Sequence, residues 1–228
     1  MPKNHIGTKN EKSLHAAIKE MISLPGDQLE VRVDGYIIDI VRDDLLIEIQ
    51  TRNFSSISFK LRRLIQNHKL RLVYPIPQLK RIIRIDPSNH EIISSRKSPR
   101  SRGLIDIFDE LVRIPHLICH DNFSLEVLLI EEEEIRCNDG EGSWRRKGVS
   151  IIDRQLISVL GQVEFRTRRD FLRFVPDRLN QPFTNREIAE ETGISIHQSR
   201  RVSYTLKKMG VLTEVGRKGN ELLFEKAL

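Results

Sequence analysis

Two acidic residues interrupt otherwise apolar, strand-like runs: Asp39 in YIIDIV (36–41) and Glu48 in LLIEIQT (45–51). Alternation along a strand places Ile37, Asp39 and Val41 on one face, and Leu46, Glu48 and Gln50 on one face of the next. If Asp43-Asp44 form a two-residue turn, position 42 faces 45 and Asp39 lies directly opposite Glu48. A four-residue turn keeps that pairing, whereas a three-residue loop breaks it. Directly opposed carboxylates repel by roughly 0.2–1 kcal/mol, and more when desolvated. A divalent cation is the simplest group to place between them. Two carboxylates, with the remaining positions filled by water and a phosphate oxygen, is the usual way Mg²⁺ is held. The alternative is that both are strand-end residues at a solvated sheet edge, against which their interior placement and matched faces argue.

The elements around them read as helix, strands, helix, strand. Residues 10–23 place Leu14, Ala17, Ile18, Met21 and Ile22 at helical spacing, and Pro25-Gly26-Asp27 ends that helix. Strands follow at 29–33, 36–41 and 45–51, then a helix over about 56–68 with Ile57, Leu61, Leu64 and Ile65 inward, then the apolar strand 69–77. Glu11 falls on the core-facing stripe of the first helix and could bend over the strand face as a third carboxylate. Glu20 is nine residues on, half a turn away and solvated. Glu11 could equally be a favourable charge at a helix N-terminus, and Glu30 is a competing acid.

The order of helix acid, strand Asp39, nine residues, then Glu48-Ile49-Gln50 resembles the PD-(D/E)XK nuclease superfamily, over about residues 10–77. That resemblance implies that Asp39 and Glu48 bind Mg²⁺ (or Mn²⁺), with help from the Ile49 carbonyl, and that the next-but-one residue positions or activates water. A lysine is expected there, and Gln50 stands in its place. A Glu-x-Gln ending also occurs in the nuclease-like domain of CoiA-type competence proteins, which the IEIQT stretch resembles. Gln50 can orient a water or a phosphate but carries no charge. Lys60, on the following helix, is a candidate migrated substitute, or simply a surface lysine. Many members of the superfamily work as dimers, so a homodimer is compatible with the resemblance.

The last third of the chain carries a second signature. Residues 1–144 hold 21 Lys+Arg against 22 Asp+Glu, a net of −1, while residues 145–228 hold 17 against 10, a net of +7. Excess positive charge confined to one segment suggests a polyanion-binding module. Thr184 and Glu187 form a capping box, and Phe183 and Ile188 a hydrophobic staple. Gly193 stops that helix, and Ser195 caps a second over 196–209 with Val202, Leu206 and Met209 on one face. His197, Arg200, Tyr204 and Lys207 lie opposite, flanked by Arg201 and Lys208. Two strands follow around a basic tip containing Arg217 and Lys218. This segment resembles winged helix–turn–helix domains, implying that the second helix enters the DNA major groove while the tip lies beside phosphates. Some winged helices bind proteins instead.

Between the two blocks, 81–96 reads as a hairpin around Pro87-Ser88-Asn89, 94–103 as a linker, 104–118 as a helix interrupted by Pro115, and 124–136 as a strand. The glutamates 131–134 read as a solvated run rather than a metal site, because a strand sends neighbours to opposite faces. Helices are expected at 150–163 and 168–179. Trp144, beside Arg145, Arg146 and Lys147, could touch nucleic acid or be buried at a domain junction.

No Walker-type loop or GxGxxG occurs, so nucleotide hydrolysis and dinucleotide binding are unsupported. His116, Cys119 and His120 could form a zinc corner, but Pro115 weakens a helix there. Two cysteines are too few for a disulfide scaffold, and no apolar run is long enough to span a membrane. The polar start lacks a secretory signal, so a cytoplasmic protein is expected.

The expected fold class is α/β: a restriction-endonuclease-like α/β/α core at 1–97, an α+β connecting segment at 98–147 and a winged helix at 148–228. The expected function is Mg²⁺-dependent hydrolysis of DNA phosphodiesters, with DNA delivered by the winged helix. The alternatives are a DNA-binding regulator whose nuclease site has decayed, and a winged helix that docks protein.

Overall fold

The structure is a computed structural model that describes residues 13–228. It is a mixed α/β fold built on one seven-stranded sheet, with a three-stranded sheet in the C-terminal part. Helix α1 (Ser13–Ile22) leads into β1 (Gln28–Val33), β2 (Tyr36–Arg42) and β3 (Leu45–Ile49), then α2 (Phe54–Leu64) and β4 (Lys69–Ile85). β1 and β2 form a hairpin at Asp34-Gly35, whose φ values of 48° and 85° are the two positive angles that a type I′ turn requires. β2 and β3 pair antiparallel across Asp43-Asp44 in the two-residue-turn register, Arg42 with Leu45 and Ile40 with Ile47. β3 runs parallel to β4, with α2 as the crossover.

β4 is the axis of the sheet. On one side it pairs β6 (Phe123–Cys137) along its whole length; on the other it pairs β3 up to Val73 and β5 (Ile92–Lys97) from Arg81 onward. Pro75 and Pro77 fall in the interval between those two partners, where no strand needs their missing N–H. Residues 92–97 are therefore a strand, and the linker expected at 94–103 shrinks to 98–103.

Residues 150–163, expected as helix, lie instead in the edge strand β7 (Ser150–Phe165), paired antiparallel with β6. The register steps three times, each step leaving one extra residue on β7: Ile152, Ile157 and Leu160. Each bulge reverses the inward–outward alternation, so the sequence loses its period of two and mimics helical spacing. The extra residues are solvent-facing, at 42%, 50% and 44% exposure. Because β6 and β7 both belong to the large sheet, neither a connecting segment nor a boundary at 147/148 divides the molecule. The C-terminal helices and hairpin begin after β7.

Helices cover both faces of the sheet. On one face, Leu14 and Ile18 of α1 pack on Ile40, Ile47, Ile49, Val73, Leu128 and Ile130, while Met21 turns outward. The other face carries α2, the short α3 (Phe108–Leu111) and the C-terminal elements. One continuous cluster runs from Leu61 and Leu72 through Phe108 to Val202 and Phe224. Its centre is aromatic: Phe165 stacks on Phe171 at 4.4 Å, and Phe108 meets Phe174 edge-on at 4.8 Å. Among the described residues no helix is long and apolar enough to cross a membrane.

The shared core predicts cooperative unfolding of the large sheet and the C-terminal elements together. Phe171→Ala should cost about 3–5 kcal/mol, a cavity penalty in a full core. Calorimetry should show one transition shifted down; two separated transitions would show that the parts are independent.

Candidate functional site

The paired strands place the two carboxylates at the point where β2 and β3 part. The Ile40–Ile47 register carries Asp39 to the level of Glu48, but beyond it backbone pairing gives way to side chains. Asp39 Oδ2 accepts the Ile49 N–H at 2.8 Å, replacing a ladder bond. Ile49 pairs with Val73 on β4, and it is Gln50 N that donates to Val73 O, at 2.9 Å. In a parallel ladder this turns the N–H and C=O of Ile49 toward β2, the side of the carboxylates.

Each helical layer sends one side chain to the pair. From α1, His15 Nε2 lies 3.3 Å from Asp39 Oδ2. From α2, Lys60 Nζ lies 2.5 Å from Glu48 Oε1 and donates to Ile37 O at 2.6 Å. Lys60 is thus part of the site and not a surface lysine. Gln50 remains at its rim: its Nε2 donates to Asn53 O and Ser56 Oγ, both at 3.1 Å, and ties β3 to the first turn of α2. Glu30 is paired with Lys19 at 2.7 Å. Glu11, the expected third carboxylate, lies outside the described residues.

Electrostatics separates the two acids. Burial would push the Asp39 carboxyl up, but His15 and the Ile49 N–H outweigh it and hold it below its usual range. Glu48 is only 5% exposed; burial pushes it from its ordinary 4.5 to about 7, with Asp39 adding to the rise and Lys60 opposing it. Among the described residues no group of three or more His, Cys, Asp and Glu side chains could hold a metal ion. The site therefore offers two carboxylates and main-chain oxygen. Such an all-oxygen donor set suits a hard cation such as Mg²⁺ or Mn²⁺.

The glutamate run on β6 is not solvated as expected. Glu132 and Glu134 are each 1% exposed, and Lys80 bridges them at 2.7 and 2.9 Å. Arg136 and Arg154 also reach Glu134, at 2.5 and 3.4 Å. Burial pushes Glu134 up, yet these cations together hold it below its usual range.

The C-terminal elements β8 (Phe183–Thr184), α4 (Asn185–Thr192), α5 (Ile196–Lys208), β9 (Leu212–Lys218) and β10 (Glu221–Lys226) form a helix pair beside a three-stranded sheet of order β8-β10-β9. Thr184 N donates to Glu187 Oε2 at 2.6 Å and Thr184 Oγ1 accepts from Glu187 N at 3.3 Å, completing the capping box. Phe183 and Ile188 are fully buried, as are Val202, Leu206 and Met209 on the inner face of α5.

On its outer face His197, Arg200, Tyr204 and Lys208 are exposed, and Lys208 Nζ sits 5.8 Å from the Tyr204 ring centroid. Arg217 and Lys218 are exposed at the hairpin tip. A groove of about 360 Å³ runs between α5 and the hairpin, with Arg200, Tyr204, Lys207 and Asn220 among its walls. Two expected contacts are otherwise engaged. Arg201 pairs with Asp109 of α3, so it anchors α5 to the sheet, and Lys207 Nζ donates to Glu214 Oε2 at 2.8 Å.

The Glu48–Lys60 pair predicts a signed pH dependence. The native state binds a proton more tightly than the unfolded chain, so Glu48 lowers stability progressively as pH rises from about 4.5 to about 7. Relative to wild type, Glu48→Gln should gain stability over that interval. Lys60→Met should lose about 3–5 kcal/mol at pH 8, where it strands a buried carboxylate, and less at pH 5. Urea unfolding at both pH values checks the two signs together.

A family profile described as "Domain of unknown function (DUF8091)" matches residues 12–166, ending one residue after β7. An uncharacterized protein of Treponema pallidum (strain Nichols) is 30% identical over 222 residues, covering 97% of this chain and 87% of the relative. That similarity extends through the C-terminal helices and hairpin. No solved structure matches the chain. With most of its large sheet inside the matched segment, the chain belongs to the DUF8091 family.

Proposed function

We propose that this protein is a metal-dependent nuclease that hydrolyses DNA phosphodiesters, with the duplex held by the winged helix. The observation that carries this reading is the Asp39–Glu48 pair at the parting of β2 and β3, with Lys60 salt-bridged to Glu48 at 2.5 Å. The helix–strands–helix–strand order around it supports a PD-(D/E)XK-like core. Lys60 supplies from α2 the cation that the motif places at position 50.

The residues fit a hard divalent cation. Lys60 pairs with Glu48 while His15 and the Ile49 N–H hold Asp39, and burial raises the Glu48 carboxyl to about 7, so a cation can displace its proton near neutrality. Asp39, Glu48 and the Ile49 carbonyl would hold the ion; when bound, Mg²⁺ lowers the pKa of water and neutralises charge on the phosphate. His15 and the Ile49 N–H fix the Asp39 carboxylate in one orientation. Lys60, tethered to Ile37 O and Glu48, would face a phosphate oxygen held at the carboxylates. Gln50 Nε2 holds the Asn53–Ser56 turn, and its side-chain oxygen would orient a water.

The exposed His197, Arg200, Tyr204 and Lys208 would lie in the major groove, with Arg217 and Lys218 beside phosphates. The anchoring of Arg201 to Asp109 turns that face away from the sheet. The neutral Gln50 favours a second reading, a DNA-binding regulator on a nuclease-like scaffold.

Calorimetric titration of Mg²⁺ and Mn²⁺ separates the two. Wild type should bind metal and cut single-stranded, duplex or branched DNA, and Asp39→Ala/Glu48→Ala should lose both while remaining folded. Wild type that binds duplex but takes no metal and cuts nothing would establish the regulator. Duplex affinity should fall steeply with salt. Arg217→Ala and Lys218→Ala should each reduce the log–log salt slope by about 1, as expected for phosphate contacts.

A further inference from the structure

The loop between β6 and β7 presents an aromatic–basic surface that the proposed nuclease site leaves unused. Trp144 is 83% exposed, and the Arg145 guanidinium lies 5.5 Å from the centroid of its ring. A side chain of that size rarely stays in water without a partner, and this one is the only tryptophan in the chain.

The loop is built rather than loose. Gly142 N donates to Gly148 O at 3.0 Å, Lys147 N to Trp144 O at 3.0 Å and Arg146 Nε to Val149 O at 3.0 Å. A Cβ on Gly142 would lie 2.0 Å from Val149 O, so only glycine permits the wrap. Trp144 thus stands on a short 3₁₀ turn (Trp144–Arg146) braced at both ends.

Its position relative to the carboxylates follows from α1. At the start of that helix, the Ser13 backbone N–H donates to Asp153 Oδ1 at 3.3 Å, and Asp153 lies just after the loop on β7. Two residues along, His15 reaches Asp39. The first turn of α1 therefore spans from the foot of the loop to the carboxylates. Arg52, three residues beyond Ile49, is exposed near Arg146 and Arg154; its partial burial, then their charges, hold it below its ordinary range against the opposing Glu134.

A duplex offers a flat aromatic side chain no base face, because its bases are stacked on one another. An unpaired nucleotide offers both a base face and a flexible phosphate. Exposed tryptophan with adjoining arginines is the combination that binds such a strand: the ring stacks on the base and the guanidinia take the phosphates.

We propose that Trp144 and Arg145, together with the neighbouring Arg146 and Arg52, bind an unpaired stretch of DNA beside Asp39 and Glu48. The substrate class is then DNA with a single-stranded portion, whose duplex part is held by the winged helix. This rests on the reading of the carboxylates as a DNA-cutting site.

Trp144 reports on its own occupancy. The full chain, without metal, is titrated with oligothymidylate and with a blunt duplex while tryptophan emission is followed. The single strand should quench emission saturably and the blunt duplex should not. With a labelled oligothymidylate, Trp144→Ala should bind about 5- to 100-fold more weakly, and Trp144→Phe should recover most of the loss. Duplex affinity should be unchanged in both variants.

No quenching by the single strand, or equal quenching by the blunt duplex, would overturn the proposal. Loss of metal binding and cleavage with quenching intact would instead refute the nuclease reading, leaving the single-strand site standing. The two failures are therefore distinguishable.

Discussion

A carboxylate placed inside a sheet costs several kcal/mol unless something positive meets it, and Glu48 imposes that constraint on its surroundings. It sits where β3 is covered by α2, at 5% exposure, and its partner must come from the helix above. Lys60 meets it only because α2 begins directly after the turn at Asn53, which Gln50 and Ser56 hold closed. The same constraint explains why Asp39 is tied to Ile49 N–H and His15. Two acids at one level of a sheet stay ionised together only where separate donors hold each of them. The chemistry proposed for the site uses this arrangement, since a buried acid near neutrality can exchange its proton for a divalent cation.

The acidic turn of α3 sets the relation between the proposed cutting and binding elements. Glu110 Oε2 accepts the Phe54 N–H at 2.8 Å, one of the donors that the start of α2 leaves open. Its neighbour Asp109 takes Arg102 at 3.0 Å and also Arg201 of α5. Gln198 Nε2 donates to Asp106 Oδ1 at 3.4 Å. Three acids on one short segment thereby join the helix that carries Lys60 to the helix with the basic outer face. Arg201 serves as an anchor to α3, Lys207 is paired with Glu214, and Arg200 and Lys208 are left facing outward.

Local signals carried the C-terminal helix pair with its hairpin and the β1–β3 meander. The capping box at Thr184 and the staple of Phe183 on Ile188 are contacts within five residues, and the two-residue turn at Asp43-Asp44 set the register of β2 and β3. β7 was misread because three bulges disrupt its alternation, and nothing local distinguishes a bulged edge strand from an amphipathic helix. The burial of Glu132 and Glu134 was equally hidden. Lys80 is some fifty residues away and reaches them only because β4 and β6 are neighbours. His15 had one available signal, its place one residue after the inward-facing Leu14, but its target lies on β2, in a different element.

The sequence by itself determined which residues could do chemistry: Asp39 and Glu48 within apolar runs, a basic face on α5 and a basic tip on the following hairpin. These follow from periods of 2 and 3.6 residues and from capping, all short-range effects. The tertiary structure decided which of them have partners. It gave Lys60 to Glu48, removed Arg201 from the outer face, buried two of four consecutive glutamates and left Trp144 in water beside Arg145. Pairing between charges far apart in the chain depends on sheet order and crossover, and no local pattern encodes those distances.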